Sequence, residues 1–289
     1  MENVTIRMLA ERLQLSTATI SKALNNSHEI SEETKQRVLA LAAELNYVPN
    51  PYASSLRKKA SNTIAVVIPE VADSFFAEAI NGIEAVAQEK GYHVLIYLTH
   101  ESPGKEQAIL KDFQSGRVDG VLISVTTDTT AAQQGLEQLA KEIPVVFCDR
   151  VCEEVTAAKI TTDDAADAYK ATAHLVAGGC RNIGLLSASR HLSICNNRTE
   201  GFLQALRDHG LPLTETAVVY CTNDNAANHH LLEDAFQQQH YDGIIATTEK
   251  LSTAVYLVCE ALHLRIPADV QVIGFSNLST ARFLNPSLT

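Results

Sequence analysis

The sequence predicts an α-helical head followed by a larger parallel α/β body built as two similar halves. Three observations carry this expectation. Apolar residues recur at helical spacing in three short runs before residue 46. From residue 62, short apolar runs alternate with amphipathic helical patterns, the grammar of a parallel sheet. Two stretches of that second region also echo one another.

The head is read first. Ile6, Leu9, Ala10 and Leu13 form the stripe of one short helix over residues 6–13. Only Gln14, Leu15 and Ser16 separate it from a second, over 17–24, whose apolar positions are Ile20, Ala23 and Leu24. So short a connection implies two helices crossing at a steep angle. Ser31 then stands as a helix N-cap, with Glu32 and Glu33 suited to the positive end of a third helix. Val38, Leu41, Ala42 and Leu45 supply its buried stripe. The spacing matches a helix-turn-helix, whose second helix must be slight enough to enter a DNA major groove. Thr17, Ala18, Thr19 and Ser21 give it such a face. On spacing alone, a three-helix bundle without nucleic acid remains open.

Charge is divided between the two regions. Residues 1–60 balance at +2, and the other 229 at −13, within a total of −11. Phosphate binding needs a locally basic face, which Arg7, Lys22, Arg57, Lys58 and Lys59 offer. The acidic remainder would confine DNA contact to the head.

Residues 4–57 resemble the DNA-binding head of the LacI/GalR family of bacterial transcription regulators. The resemblance rests on the opening V-T-I, on S-x-x-T-I-S-K-x-L-N through the second helix, and on I-S-x-x-T-x-x-R-V opening the third. Y-x-P-N at 47–50 and the A-x-x-L of Ala53 and Leu56 complete it, and the similarity continues through nearly all 289 residues. It implies that Thr17 and Ala18 read base edges, while Ser16, Thr19, Ser21 and Asn25 approach backbone or bases. Thr5, Lys22, Asn50, Ala53, Leu56 and Arg57 complete the expected DNA-binding set. Side chains as small as Thr17 and Ala18 suit a thymine methyl or one hydrogen bond, not a bidentate contact. The operator sequence is therefore not readable from them. Pro49 and Pro51 end the third helix, and taken alone 49–61 is a linker. The resemblance implies that this segment becomes a hinge helix on DNA, with Leu56 wedged into the minor groove.

Strand candidates in the body are Thr63–Ile68, His93–Leu98, Gly120–Ser124, Val145–Asp149, Ala158–Thr161, Ile183–Ser187, Ala217–Cys221, Gly243–Thr247 and Val270–Phe275. "RVDGVLIS" at 117–124 returns as "HYDGIIAT" at 240–247, and "IPVVFCD" at 143–149 is answered by "IPADVQVIGFS" at 266–276. Two similar halves around a cleft give the architecture of a type I periplasmic-binding-protein core. The expected organisation is a head over 1–48, a hinge over 49–61, a first half over 62–161 and a second over 162–289. Relatives run on beyond the final "NPSLT", so the resemblance implies a core truncated before the last elements of its first half.

Open α/β sheets bind ligands at the carboxyl ends of their strands. Candidates there are Asp73, Phe75 and Phe76 after the first strand, and Asp149 and Arg150 after "VVFC". Asn197 and Arg198 follow "NIGLLSA" in what reads as an irregular loop opening a helix, and Asn223 and Ser276 follow two further strands. Acids, an arginine and asparagines beside phenylalanines suit a sugar, and the resemblance places effector contacts near Phe75, Asp149, Arg198, Asn223 and Ser276. Many relatives carry Asp where Ser276 stands, which leaves smaller polar or phosphorylated ligands open. Arg198 is expected to face Asp149 across the cleft, with that carboxylate or a ligand satisfying it.

Other classes are disfavoured. The six cysteines include no C-x-x-C pair, which speaks against a disulfide framework or a zinc site. His229 and His230, being adjacent, are not expected to share a helical face as metal ligands, and no cofactor is called for. There is no G-x-G-x-x-G and no G-x-S-x-G, so no nucleotide-using or serine-hydrolase enzyme is indicated. No secretory leader or spanning apolar run is evident, pointing to a cytoplasmic, nucleoid-associated protein. The expectation is a homodimeric repressor that binds double-stranded operator DNA under control of a small, sugar-like effector. The alternative is a solute-binding protein using the same core without DNA.

Overall fold

The structure, a computed structural model, describes residues 4–48, 61–129, 132–222, 224–276 and 278–289. The expected sites Asn50, Ala53, Leu56, Arg57 and Asn223 lie outside the described residues. The chain divides into two compact units, Met1–Ser61 and Asn62–Thr289.

In the first unit, α1 spans Ile6–Leu13, α2 Thr17–Leu24 and α3 Glu32–Glu44. Each begins on a hydroxyl that accepts a backbone N–H of the first turn: Thr5 from Met8 at 3.4 Å, Ser16 from Thr19 at 3.0 Å, Ser31 from Thr34 at 3.4 Å. α1 stops because Gln14 turns into the left-handed region at φ 55°, and Leu15 N–H returns to the Ala10 carbonyl at 2.9 Å. Leu9, Ile20 and Val38, one from each helix, are wholly buried and close the small core.

The second unit holds two parallel sheets. β1 (Thr63–Ile68), β2 (His93–Leu98), β3 (Gly120–Ile123), β4 (Val145–Cys148) and β5 (Ala158–Ile160) form the first, in the order β2-β1-β3-β4-β5. β6 (Ile183–Ser187), β7 (Val218–Tyr220), β8 (Gly243–Ala246) and β9 (Gln271–Gly274) form the second, in the order β7-β6-β8-β9. Each of these strands falls inside its predicted interval. In both sheets the first strand lies one in from the edge, paired on one side with the next strand and on the other with the one after it. Strands buried on both faces read as unbroken apolar runs, as in β6 (IGLLS) and β8 (GIIA), which are buried throughout.

Connecting helices cover the sheets: α4 (Ser74–Glu89), α5 (Pro103–Phe113), α6 (Gln133–Glu142), α7 (Asp164–Ala177), α8 (Ser193–Asp208), α9 (Asn225–Gln239) and α10 (Glu249–Ala261). α7 and α8 approach so closely that a Cβ on Gly201 would lie 1.9 Å from the Ala165 carbonyl oxygen. Only glycine fits there. Phe202, next along α8, is fully buried in the second half's core.

One expectation is corrected here. The segment after β6 is not an irregular loop, since α8 begins at Ser193, well before Arg198. Its N-cap, Leu192, makes no side-chain capping bond, so the usual sequence signal for a helix start is missing. Leu192, Ile194 and Cys195 are buried in the core of the first half, alongside Phe147 and Val121. The start of α8 thus plugs one half into the other. Further round, Ser74 at the start of α4 donates to Glu249 at the start of α10 through its backbone N–H, at 3.3 Å, and its hydroxyl. Lys250 pairs with Glu70 at 2.5 Å.

Candidate functional site

The exposed face of the head is built from helix starts. Ser16, Thr17 and Ala18 are exposed at the N-terminus of α2, as are Thr5 before α1 and Asn25 after α2. Neither α1 nor α2 carries an acid in its first turn, so each leaves a positive helix end uncompensated, whereas α3 has Glu32 and Glu33. Several side chains are held locally. The Ser16 and Thr19 hydroxyls are 2.8 Å apart, and Asn25 donates from Nδ2 to the Ser21 carbonyl at 2.7 Å. Lys22 is paired with Glu29, whose carboxyl it holds below the usual range. Among the described residues, Thr17 makes no side-chain hydrogen bond and remains available to a partner.

In the second unit, a cleft of about 550 Å³ opens between the halves, within the size range of small-molecule sites. Asp73, Phe75, Phe76, Asp149, Arg150, Arg198 and Ser276 all line it, so the strand-end rule brings these candidates together. Asp73 caps α4 by accepting the Phe75 N–H at 2.9 Å, which fixes the two phenylalanines at the cleft wall. Their rings meet edge to face, centroids 5.4 Å apart.

Asn197 does not line the cleft. It is exposed on α8. A helix turns by about a hundred degrees per residue, so Ile194, Cys195 and Arg198 share the face toward the cleft and Asn197 points away. The expected partner of Arg198 is also corrected. Its Nε donates to Asp164 of α7 at 2.8 Å and a terminal nitrogen donates to the Thr247 carbonyl at 2.7 Å. The guanidinium also lies 4.4 Å from the Phe275 ring centroid. Asp164 is 3% exposed and reaches Arg198 first.

Asp149 is left with little. Its φ of 64° turns the chain sharply after β4, and its carboxylate lies 3.9 Å from the neighbouring Arg150. Arg150 is engaged elsewhere, donating to Glu101 at 2.6 Å. Burial pushes the Asp149 carboxyl above the usual range. Arg150 and Arg198 oppose this, while Asp164 and Asp73 add to it. Asp73 is likewise raised by burial, against its bond from Phe75 and with Glu249 and Glu70 adding to the rise. Glu101 goes the other way. Burial would raise it, but Arg150 and the Thr127 hydrogen bonds outweigh that and hold it low.

The residues that sequence reasoning missed are Asp164, Thr247, Thr248, Glu249 and Phe275 of the cleft wall, and Glu101 behind it. A signal existed for three of them, because Thr247, Thr248 and Glu249 follow β8 just as Asp149 and Arg150 follow β4. His229 and His230 were expected to diverge, yet their Nδ1 atoms lie 3.5 and 3.7 Å from one Glu233 oxygen, since both imidazoles swing toward it. Among the described residues, no helix is long and apolar enough to cross a membrane.

Comparison with known proteins agrees with this geometry. Residues 5–50 match the profile described as bacterial regulatory proteins, lacI family, and residues 61–288 match that of periplasmic binding proteins and sugar binding domain of LacI family. A ribose operon repressor of Halalkalibacterium halodurans is 31% identical over 286 residues, covering 99% of this chain and 84% of that protein. The HTH-type transcriptional regulator DegA of Bacillus subtilis is 28% identical over 286 residues, 99% of this chain and 85% of that one. The crystal structure of the Lac repressor dimer bound to operator and the anti-inducer ONPF superposes with a TM-score of 0.86 at 22% identity, covering all of this chain and 87% of that one. The chain therefore belongs to the lacI family of bacterial regulatory proteins, as a DNA-binding transcriptional regulator with an effector-binding α/β core.

Proposed function

We propose that this protein is a homodimeric, cytoplasmic repressor whose operator affinity is set by an uncharged polyhydroxylated effector, a saccharide, held in the cleft. In this reading the two α2 helices of a dimer enter successive major grooves, with Thr17 and Ala18 meeting base edges and Thr5, Ser16, Thr19, Ser21, Lys22 and Asn25 meeting phosphates or flanking bases. Asn50, Ala53, Leu56 and Arg57 would contribute from the hinge. The family is one of regulators rather than enzymes, and no catalytic step is assigned.

The observation that carries the effector class is the balance of charge in the cleft. Both guanidiniums are already matched, Arg150 by Glu101 and Arg198 by Asp164. Asp73, Asp149 and Glu249 add negative charge to the same wall. A phosphorylated or carboxylate ligand would meet repulsion there. Hydroxyl groups instead find carboxylate acceptors, and charge-assisted bonds of this kind are short and strong. The phenyl faces of Phe75, Phe76 and Phe275 suit the apolar faces of a sugar ring. The names of the ribose operon repressors among the relatives support the same class. Effector and operator are then coupled reciprocally through one equilibrium.

Selection from random DNA with the full-length dimer tests the DNA half of the reading. A near-palindromic motif is expected, and no enriched symmetrical motif would contradict it. Titration calorimetry with neutral sugars and their phosphates tests the effector half, and tighter binding of the phosphates would contradict it.

A further inference from the structure

Beside the main cleft lies a second cavity of about 220 Å³, also walled by both halves. Asp73, Arg150, Ala188 and Thr248 line the two cavities in common, so these are adjoining compartments of one groove. The smaller one is far above the roughly 10–15 Å³ that seats a single water.

Their chemistry differs. The larger compartment presents the phenyl faces, whereas the smaller has no phenyl wall and is lined by His100, Asn225, Asn228 and Lys250 with carboxylates behind them. The lysine and arginine of the smaller compartment are both matched, Lys250 to Glu70 at 2.5 Å and Arg150 to Glu101 at 2.6 Å. It offers donors and acceptors without surplus positive charge, which suits a second ring bearing hydroxyls and does not suit a phosphate.

We infer that the effector is a disaccharide or longer glycoside, with one ring against the phenyl faces and the next in the smaller compartment. This rests on the reading of the cleft as a saccharide site. A monosaccharide fills one compartment and leaves the polar wall of the other to water, forgoing the hydrogen bonds of Asn225 and Lys250.

The test is titration calorimetry on the full chain with glucose, galactose and ribose against cellobiose, maltose and lactose. Asn225, exposed at the start of α9 and lining only the smaller compartment, is replaced by Trp to fill it. One disaccharide is expected to bind about tenfold or more tighter than its constituent monosaccharides. Asn225→Trp should erase that advantage and leave the monosaccharide affinity unchanged. Monosaccharides binding as tightly as every disaccharide would overturn the inference while leaving the saccharide cleft standing. A disaccharide advantage that survives Asn225→Trp would overturn the placement of the second ring. Binding by none of the sugars would overturn the saccharide reading itself, and this inference with it.

Discussion

In the head, the capping bonds reach three residues along the chain, from Ser16 to Thr19 and from Ser31 to Thr34. In the cleft, the deciding bonds join residues 34, 49 and 175 positions apart: Arg198 with Asp164, Arg150 with Glu101, and Glu249 with Ser74. The head is a set of nearly independent local decisions around a small core. The cleft is a network of largely buried charges, in which Arg150, Arg198 and Glu249 each bond to a partner from another element. Losing one head contact should therefore cost little, whereas losing one cleft or core contact should propagate.

The largest effect expected is that of Gly201→Ala. The added methyl meets backbone that cannot move without separating α7 from α8, so a loss of more than about 4 kcal/mol is expected. Chemical denaturation followed by a core-specific probe measures it. A loss below about 1 kcal/mol would show that the two helices slide apart freely.

Arg198→Ala comes next. It leaves Asp164 buried without its cation, at a cost of about 3–5 kcal/mol. The double variant Arg198→Met with Asp164→Leu should recover much of that. A single variant as stable as the parent would mean that the pair is not buried in solution.

How far the sequence could be read follows the same division. The three head helices, the Ser16 and Ser31 caps and all nine described strands were legible, because helical spacing, a capping hydroxyl and an apolar run are local properties. The choice of Asp164 over Asp149 as the partner of Arg198 was not, since it depends on how α7 packs against α8 through Gly201. The outward turn of Asn197 was missed for a local reason: Leu192 supplies no capping side chain to mark where α8 begins.

A pH titration sharpens the contrast with a smaller effect. Asp149 and Asp73 have raised values, so the folded core holds extra protons between the ordinary carboxylate range near 4 and those raised values. Their contribution to stability is present below that window and lost as pH rises through it. Glu101, held low, works in the opposite sense, its contribution being lost only as pH falls through its depressed value. Asp149→Asn, tolerated at a left-handed position, should flatten the decline and stabilise the core at neutral pH. An unchanged slope would place the decline on Asp73 or elsewhere.

The smallest effect belongs to the head. Ser16→Ala removes one cap and should lower the stability of the head by about 1 kcal/mol, read by chemical denaturation with a head-specific probe. A loss as large as that of Arg198→Ala would break the comparison.

The central claim is that occupancy of the cleft sets the operator affinity of the head. It is tested most directly by measuring operator binding by the full-length dimer and its Asp149→Asn variant, with and without the saccharide that calorimetry identifies. The account predicts equal operator affinity for the two proteins without sugar, a shift of about tenfold or more for the parent with sugar, and none for the variant. A parent that ignores the bound sugar, or a variant that responds as the parent does, would contradict it.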